Sequence, residues 1–152
     1  MVEPSHSAAT EDGHFRKLER LYRAAPINEY FAPRLAIGHG TAIIDLDVRP
    51  EFFHAASAVH GTVYFKLLDD ASFFAAASLV EDFFILTATF TVTFLRPVHG
   101  GRMRAEGRAT GSEGRRLFAE ATIQDEQGAE VARGQGVFVR SKIPLSADLG
   151  YG

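Results

Sequence analysis

His60-Gly61-Thr62-Val63-Tyr64-Phe65-Lys66-Leu67-Leu68-Asp69, continued by Asp70 and a run of small and apolar residues to Val80, decides how this chain is read. Val63, Leu67, Ala71 and Ala75 recur at helical spacing, with Leu68 and Phe74 beside them. Residues 61–80 therefore read as one long helix with an apolar face. The small residues Ala75, Ala76, Ala77 and Ser78 let a sheet or another helix come close to its second half. The helix opens on a His-Gly turn and carries a carboxylate about two turns in.

Downstream of this helix the period changes. Phe84, Leu86, Ala88, Phe90, Val92 and Phe94 alternate with Ile85, Thr87, Thr89, Thr91, Thr93 and Leu95. Strict alternation predicts a long strand, with the bulky set toward the core and the threonine set partly wet. Arg96-Pro97 ends it. Three more strands come after it: residues 102–110, a strand marked by Leu117, Ala119, Ala121 and Ile123, and residues 131–140. The turns between them are Gly111-Ser112-Glu113-Gly114 and Asp125-Glu126-Gln127-Gly128. Such short turns demand antiparallel neighbours.

Upstream, Phe15, Leu18, Leu21 and Tyr22 predict a short amphipathic helix over residues 13–25, stopped by Pro26. Residues 1–12 read as a loose tail. Residues 41–48 read as a strand that Pro50 stops, and residues 51–59 as a loop leading to His60. The tail from Ser141 is expected to be poorly ordered. The whole is an α+β design: one long helix against an antiparallel sheet of about five strands, with an extra N-terminal helix. The expected organisation is a tail and short helix over residues 1–34, one domain over 35–140 and a second tail over 141–152.

Composition narrows the function. The 152 residues suffice for one core, and 46% hydrophobic residues make it globular. A net charge of −3 gives no electrostatic reason to expect a nucleic-acid partner. With no cysteine, thiol catalysis and cysteine-ligated metals are excluded, and the cytoplasm is the expected compartment. Residues 1–13 lack the apolar stretch of a signal peptide. The longest uncharged stretch, 83–95, is too short and too regularly alternating for a membrane helix, so no membrane association is expected.

The chemistry lies at the helix head. Unpaired backbone N–H groups and a partial positive charge there can hold an oxygen that turns negative in a reaction. A carboxylate on the same element can act as base or nucleophile. Together they suggest acyl transfer or hydrolysis. Gly61 would present the N–H. Asp69 is preferred to Asp70 as the acid group. Asp70 can pair with Lys66 on a solvated face, whereas Asp69 shares a semi-polar stripe with Thr62, Phe65, Ser72 and Ala76. Eight residues separate Gly61 from Asp69, roughly 12 Å of helix, so both cannot reach one carbonyl carbon from the same chain. The pattern therefore predicts a dimer with shared sites. A Gly-x-Ser-x-Gly elbow, a His-Glu-x-x-His motif and a P-loop are all missing.

Four motifs in order carry a resemblance: His60-Gly61 with Asp69 and Ala71 behind it, Phe94-Leu95-Arg96-Pro97-Val98, Gly101-Arg102-Met103-Arg104-Ala105, and Val131-Ala132-Arg133-Gly134-Gln135-Gly136. Over residues 35–140 the chain resembles the hot-dog-fold acyl-CoA thioesterases, in the branch of phenylacetyl-CoA and 4-hydroxybenzoyl-CoA thioesterases. It departs from them at Thr62, where the branch has a second glycine, and at His54, where relatives often have Asn or Gln.

The resemblance implies hydrolysis of an acyl-CoA by a homodimer or homotetramer, with coenzyme A as part of the substrate and no separate cofactor or metal. It gives Asp69 the catalytic role and Gly61 the carbonyl. His54 becomes a second carbonyl donor, Thr87 a holder of the attacking water, and His60 mainly an anchor of the turn. Arg96, Arg115 and Arg116 offer forked donors to the coenzyme phosphates. Phe52, Phe53, Tyr64, Phe65, Phe73 and Phe74 suggest an apolar acyl pocket. Two rivals stay open. One is a hot-dog protein that binds acyl-CoA or a small acid without turnover. The other is a hot-dog hydratase, although the hydratase pattern Asp-x-x-x-x-His is missing.

Overall fold

The computed structural model describes residues 4–152 and the side chains from Thr10 onward. Two helices, α1 (Pro4–Ala24) and α2 (Pro26–Phe31), precede strands β1 (Arg34–Gly38) and β2 (Thr41–Asp47). The long helix α3 (Gly61–Ala77) comes after a short 3-10 turn at Pro50–Phe52. Then come β3 (Phe83–Phe94), β4 (Arg102–Glu113), β5 (Arg116–Gln124) and β6 (Glu130–Pro144). All six strands form one antiparallel sheet in the order β1-β2-β4-β5-β6-β3.

The sheet wraps α3. Val63, Leu67, Leu68, Ala71 and Ala75 are buried against Ile44, Leu46, Met103, Ala105, Ile123 and Phe138. Gly107 shows how close the layers come: a Cβ there would lie 2.1 Å from the Ala71 carbonyl oxygen. Gly134 and Gly136 serve the same end for Phe90, whose ring lies where their Cβ atoms would be, at 2.6 and 2.5 Å. This layered arrangement is the hot-dog fold.

Four expectations change. The sheet has six strands, because the five-residue β1 is too short to show an alternation. The N-terminal helix starts at Pro4, so most of the expected tail is helical; residues 1–3 lie outside the described residues. Pro26 begins a helix as well as ending one, since proline suits the first helical position. The C-terminal tail is ordered: β6 runs to Pro144, and the Tyr151 hydroxyl meets Nδ1 of the buried His14 at 2.8 Å.

The faces of β3 also differ from the simple alternation. Ile85 is buried and Leu86 is 44% exposed, the reverse of the expected assignment. Thr87 pairs with Phe138 and Thr89 with Val137, so Ala88 is an extra residue. A bulge of this kind swaps the faces on either side of it. Beyond it Phe90 and Val92 point inward as expected.

The two sheet edges are unlike. On β1, Arg16 of α1 donates to the Ile37 carbonyl at 2.9 Å, and Glu19 accepts from the Ile37 N–H at 2.8 Å. On the outer side of β3 no backbone or side-chain partner is present among the described residues.

Candidate functional site

His60 caps α3. Its backbone is extended, and its Nδ1 accepts the Thr62 N–H at 3.0 Å. The Val63 N–H bonds to the His60 carbonyl at 3.0 Å. The Gly61 N–H has no partner among the described residues. One donor of the helix head is thus left free, and it belongs to the residue that lines a cleft.

That cleft, about 400 Å³, is lined by His54, Gly61, Tyr64, Phe94 and Arg96 among others. The loop before α3 is pinned to deliver them: His60 N–H bonds to Phe52 O at 2.8 Å, and Val59 N–H to Val98 O at 2.9 Å. His54 sits in a tight turn, where its Nδ1 accepts the Ala56 N–H at 3.0 Å. In the neutral ring the hydrogen is therefore on Nε2, which gives His54, a residue lining the cleft, a donor on that atom. The Tyr64 hydroxyl donates to the Arg96 carbonyl at 3.0 Å and fixes the strand end that carries Arg96.

Asp69 lies elsewhere, half-buried on α3. Its Oδ1 accepts the Thr87 hydroxyl at 2.9 Å. Burial pushes its carboxyl from an ordinary 3.8 up to about 6; the Thr87 hydrogen bond and Lys66 oppose this, and the Asp70 charge adds to it. Such a group is ionised at neutral pH and close enough to titration to take a proton.

α3 and β3 run side by side in opposite directions. Asp69 meets Thr87 at one end of their seam. Phe65 and Phe90 meet in the middle, centroids 5.6 Å apart, and a Cβ on Gly61 would lie 3.4 Å from the Phe94 ring at the far end. The seam is open on the side of the uncovered β3 edge, where Phe65 is 43% and Phe94 56% exposed.

The structure thus brings His54, Gly61 and Arg96 into one cleft and Asp69 and Thr87 into a second place. His60 faces a separate recess beside Tyr30 and Phe31. Arg115 and Arg116 sit at the β4–β5 turn, where Arg115 donates to the Arg140 carbonyl and Arg116 pairs with Glu113. Arg116 is level with Leu86 through Val139, whereas Arg96 lies beyond Phe94, so the two ends are ~25 Å or more apart in one chain. Of the expected pocket aromatics, Tyr64 lines the cleft and Phe65 the seam, while Phe52 and Phe74 are core.

Asp70 pairs with Lys66 at 2.7 Å as expected, but not on a solvated face: the pair is half-buried and also takes the Tyr22 hydroxyl. The part of Phe94 was missed in the sequence, although it opens the quoted Phe94-Leu95-Arg96-Pro97 motif. Among the described residues no group of three or more His, Asp or Glu could hold a metal, and no helix is long and apolar enough to cross a membrane.

Comparisons with known proteins agree with this architecture. The PaaI protein from the phenylacetic acid degradation operon of Escherichia coli superposes with a TM-score of 0.81 at 18% identity, covering 90% of this chain and 99% of its own. A conserved protein of Pseudomonas aeruginosa gives 0.74 at 24% identity, over 80% and 98%. A thioesterase of Haemophilus influenzae gives 0.74 at 15%, over 82% and 88%. No curated protein sequence matches the chain. A family model described as Thioesterase superfamily matches residues 56–132, half of the chain, and the chain belongs to that superfamily.

Proposed function

We propose that the protein hydrolyses acyl-CoA thioesters at sites shared between two copies of the chain. The observation that carries this reading is the unpartnered Gly61 N–H in the same cleft as His54. Both residues line that cleft, and N–H donors of this kind stabilise a thioester oxygen as it gains charge. Among the described residues, Asp69 is the only half-buried carboxylate close to the seam without a cationic partner of its own.

The second copy is argued from the edges. α1 side chains take the Ile37 peptide of β1, while the outer edge of the twelve-residue β3 is unpaired among the described residues. An uncovered long edge is a template for another strand. Antiparallel pairing of β3 with its copy reverses the seam, so the Gly61 end of one chain lies over the Asp69 end of the other. It also carries Arg96 to the sheet end where the partner's Arg115 and Arg116 lie, a place suited to coenzyme phosphates.

In this arrangement Gly61 and His54 polarise the carbonyl, and Asp69 of the partner subunit either takes a proton from water or attacks the carbon itself. The thiolate of coenzyme A leaves and is protonated by solvent. Thr87 spends its hydrogen on Asp69, and its lone pairs remain to accept a hydrogen bond from the attacking water. No step needs a metal. The cysteine-free composition suits the cytoplasm.

A panel of aromatic and aliphatic acyl-CoAs with thiol detection tests the reading. Turnover that disappears in Asp69→Asn supports it. Saturable binding of acyl-CoA with no thiol release would replace it by a carrier, and addition of water to an enoyl-CoA by a hydratase. Oxygen-18 tracing in a single turnover separates nucleophile from base.

A further inference from the structure

Next to Asp69 the chain builds a second polar cluster that the hydrolytic scheme does not use. Asp70 Oδ2 accepts two hydrogen bonds, from Lys66 Nζ at 2.7 Å and from the Tyr22 hydroxyl of α1 at 2.7 Å. The Lys66 ammonium is seated between aromatic faces, 5.4 Å from the Tyr22 ring centroid and 5.2 Å from that of Phe31. Its side chain is 11% exposed. Tyr22 is itself buried and packs edge-on against Phe74, at 5.0 Å. Burial, and then Asp70, hold its hydroxyl well above the usual phenol range, so it stays a donor.

An ion pair this far from water is a poor way to gain stability, because desolvating both charges offsets their attraction. Packing alone would be served as well by an apolar side chain at position 66. What the pair does instead is electrostatic. Asp69 and Asp70 are adjacent, and without a cation two carboxylates would share one half-buried turn. Lys66 lies three residues before Asp69 and four before Asp70, on the shared side of the helix. The groups that bear on Asp69 are Lys66 and Asp70 on α3, Tyr22 on α1, and the neutral Thr87 on β3, which has no charged residue along its length.

We infer that Lys66, held by Asp70 and by the aromatic seat of Tyr22 and Phe31, is a positioning residue that offsets the Asp70 charge beside Asp69 and so favours the ionised Asp69, and that α1 is thereby part of the working site. The role attributed to Asp69 rests on the proposed thioesterase reading; the coupling between the two residues does not. Lys66 cancels the Asp70 charge, so Asp69 feels one neighbour of each sign instead of a bare anion. Tyr22 keeps the Asp70 carboxylate turned toward α1.

The test follows Asp69 by its carboxyl carbon NMR signal and, separately, by the acid limb of kcat/KM with the best acyl-CoA. Lys66→Met should move both upward by roughly one pH unit. Asp70→Asn, the same shape without the charge, should move both below the wild-type position. The double variant should return close to wild type. A uniform loss of activity in Lys66→Met with the Asp69 titration unmoved would overturn the inference. Should Lys66→Met fail to fold, an unmoved titration in Asp70→Asn would overturn it instead. A shifted Asp69 signal in a protein that hydrolyses no acyl-CoA would leave the coupling standing and refute the thioesterase reading.

Discussion

The Thr87 hydroxyl donates to Asp69 at 2.9 Å, joining β3 to α3 across 18 residues of chain. It stabilises the charged carboxylate against the burial that disfavours it. The acid limb of kcat/KM should therefore lie near pH 6, with activity rising as pH rises, because a base or nucleophile must be ionised. Thr87→Val removes the stabilising bond and should shift that limb upward. A pH–rate profile of the pair checks both the position and the direction.

Asp69→Asn should lower kcat by about 10³-fold while leaving the far-ultraviolet circular dichroism unchanged. It should also change stability with a definite sign. The folded carboxyl titrates higher than its ordinary value, so between pH ~4 and ~6 the native chain holds more protons than the unfolded one. Stability then falls as pH rises through that window, and the loss persists above it. Asn carries no such burden, so the melting advantage of the variant should be larger at pH 8 than at pH 4, by a few degrees. Paired thermal scans at the two pH values decide this.

Gly61 permits a clean separation of donor from backbone shape. A Cβ at this position meets only the Phe94 ring, at 3.4 Å, so Gly61→Ala should fold and keep much of its activity. Gly61→Pro suits the first position of a helix, and His60, with ψ 144°, already has the conformation that precedes proline. The proline lacks the N–H. Its kcat should fall by about 10²-fold or more with little change in melting temperature.

His54→Ala should cost about 10²-fold in kcat, whereas His54→Asn, which keeps a donor, should recover part of it. Steady-state kinetics on the two variants reads the difference.

The parity of the proposed pairing is fixed by which side chains face which way, and Thr91 is the central choice. Thr89, Thr91 and Thr93 line depressions on the outer face, while Phe90 faces Phe65. Residues opposite one another in antiparallel strands share a face, so the two-fold must pass through a residue. Centred on Thr91, it sets Phe90 against the partner's Val92 and Thr89 against the partner's Thr93. The extra residue Ala88 then brings Thr87 opposite the partner's Phe94, and so Asp69 beside the partner's Gly61. Thr91→Cys, in a chain with no other cysteine, should form a disulfide-linked dimer that retains turnover. A denaturing gel without reductant shows whether it does.

Much of this was legible from periodicity. The α3 stripe, the inward faces of β4 and β5, and the antiparallel order come from spacing alone, since burial on one face leaves a regular trace. The site was legible where it depends on local backbone chemistry, as at the His60-Gly61 turn. It was not where tertiary placement decides. Nothing in the order of residues shows that Ala88 is surplus in its strand, or that Lys66 lies between two rings from α1 and α2. The separation of Arg96 from Arg115 and Arg116 is likewise a matter of register.

The contrast between the two borders of the sheet also limits growth. With Arg16 and Glu19 occupying the peptide groups of Ile37, a pair joined through β3 would end on both flanks in a five-residue strand whose Ile37 peptide is already taken. Strand addition through β3 would then meet a short, partly capped rim at each end, the kind of edge that disfavours open-ended growth.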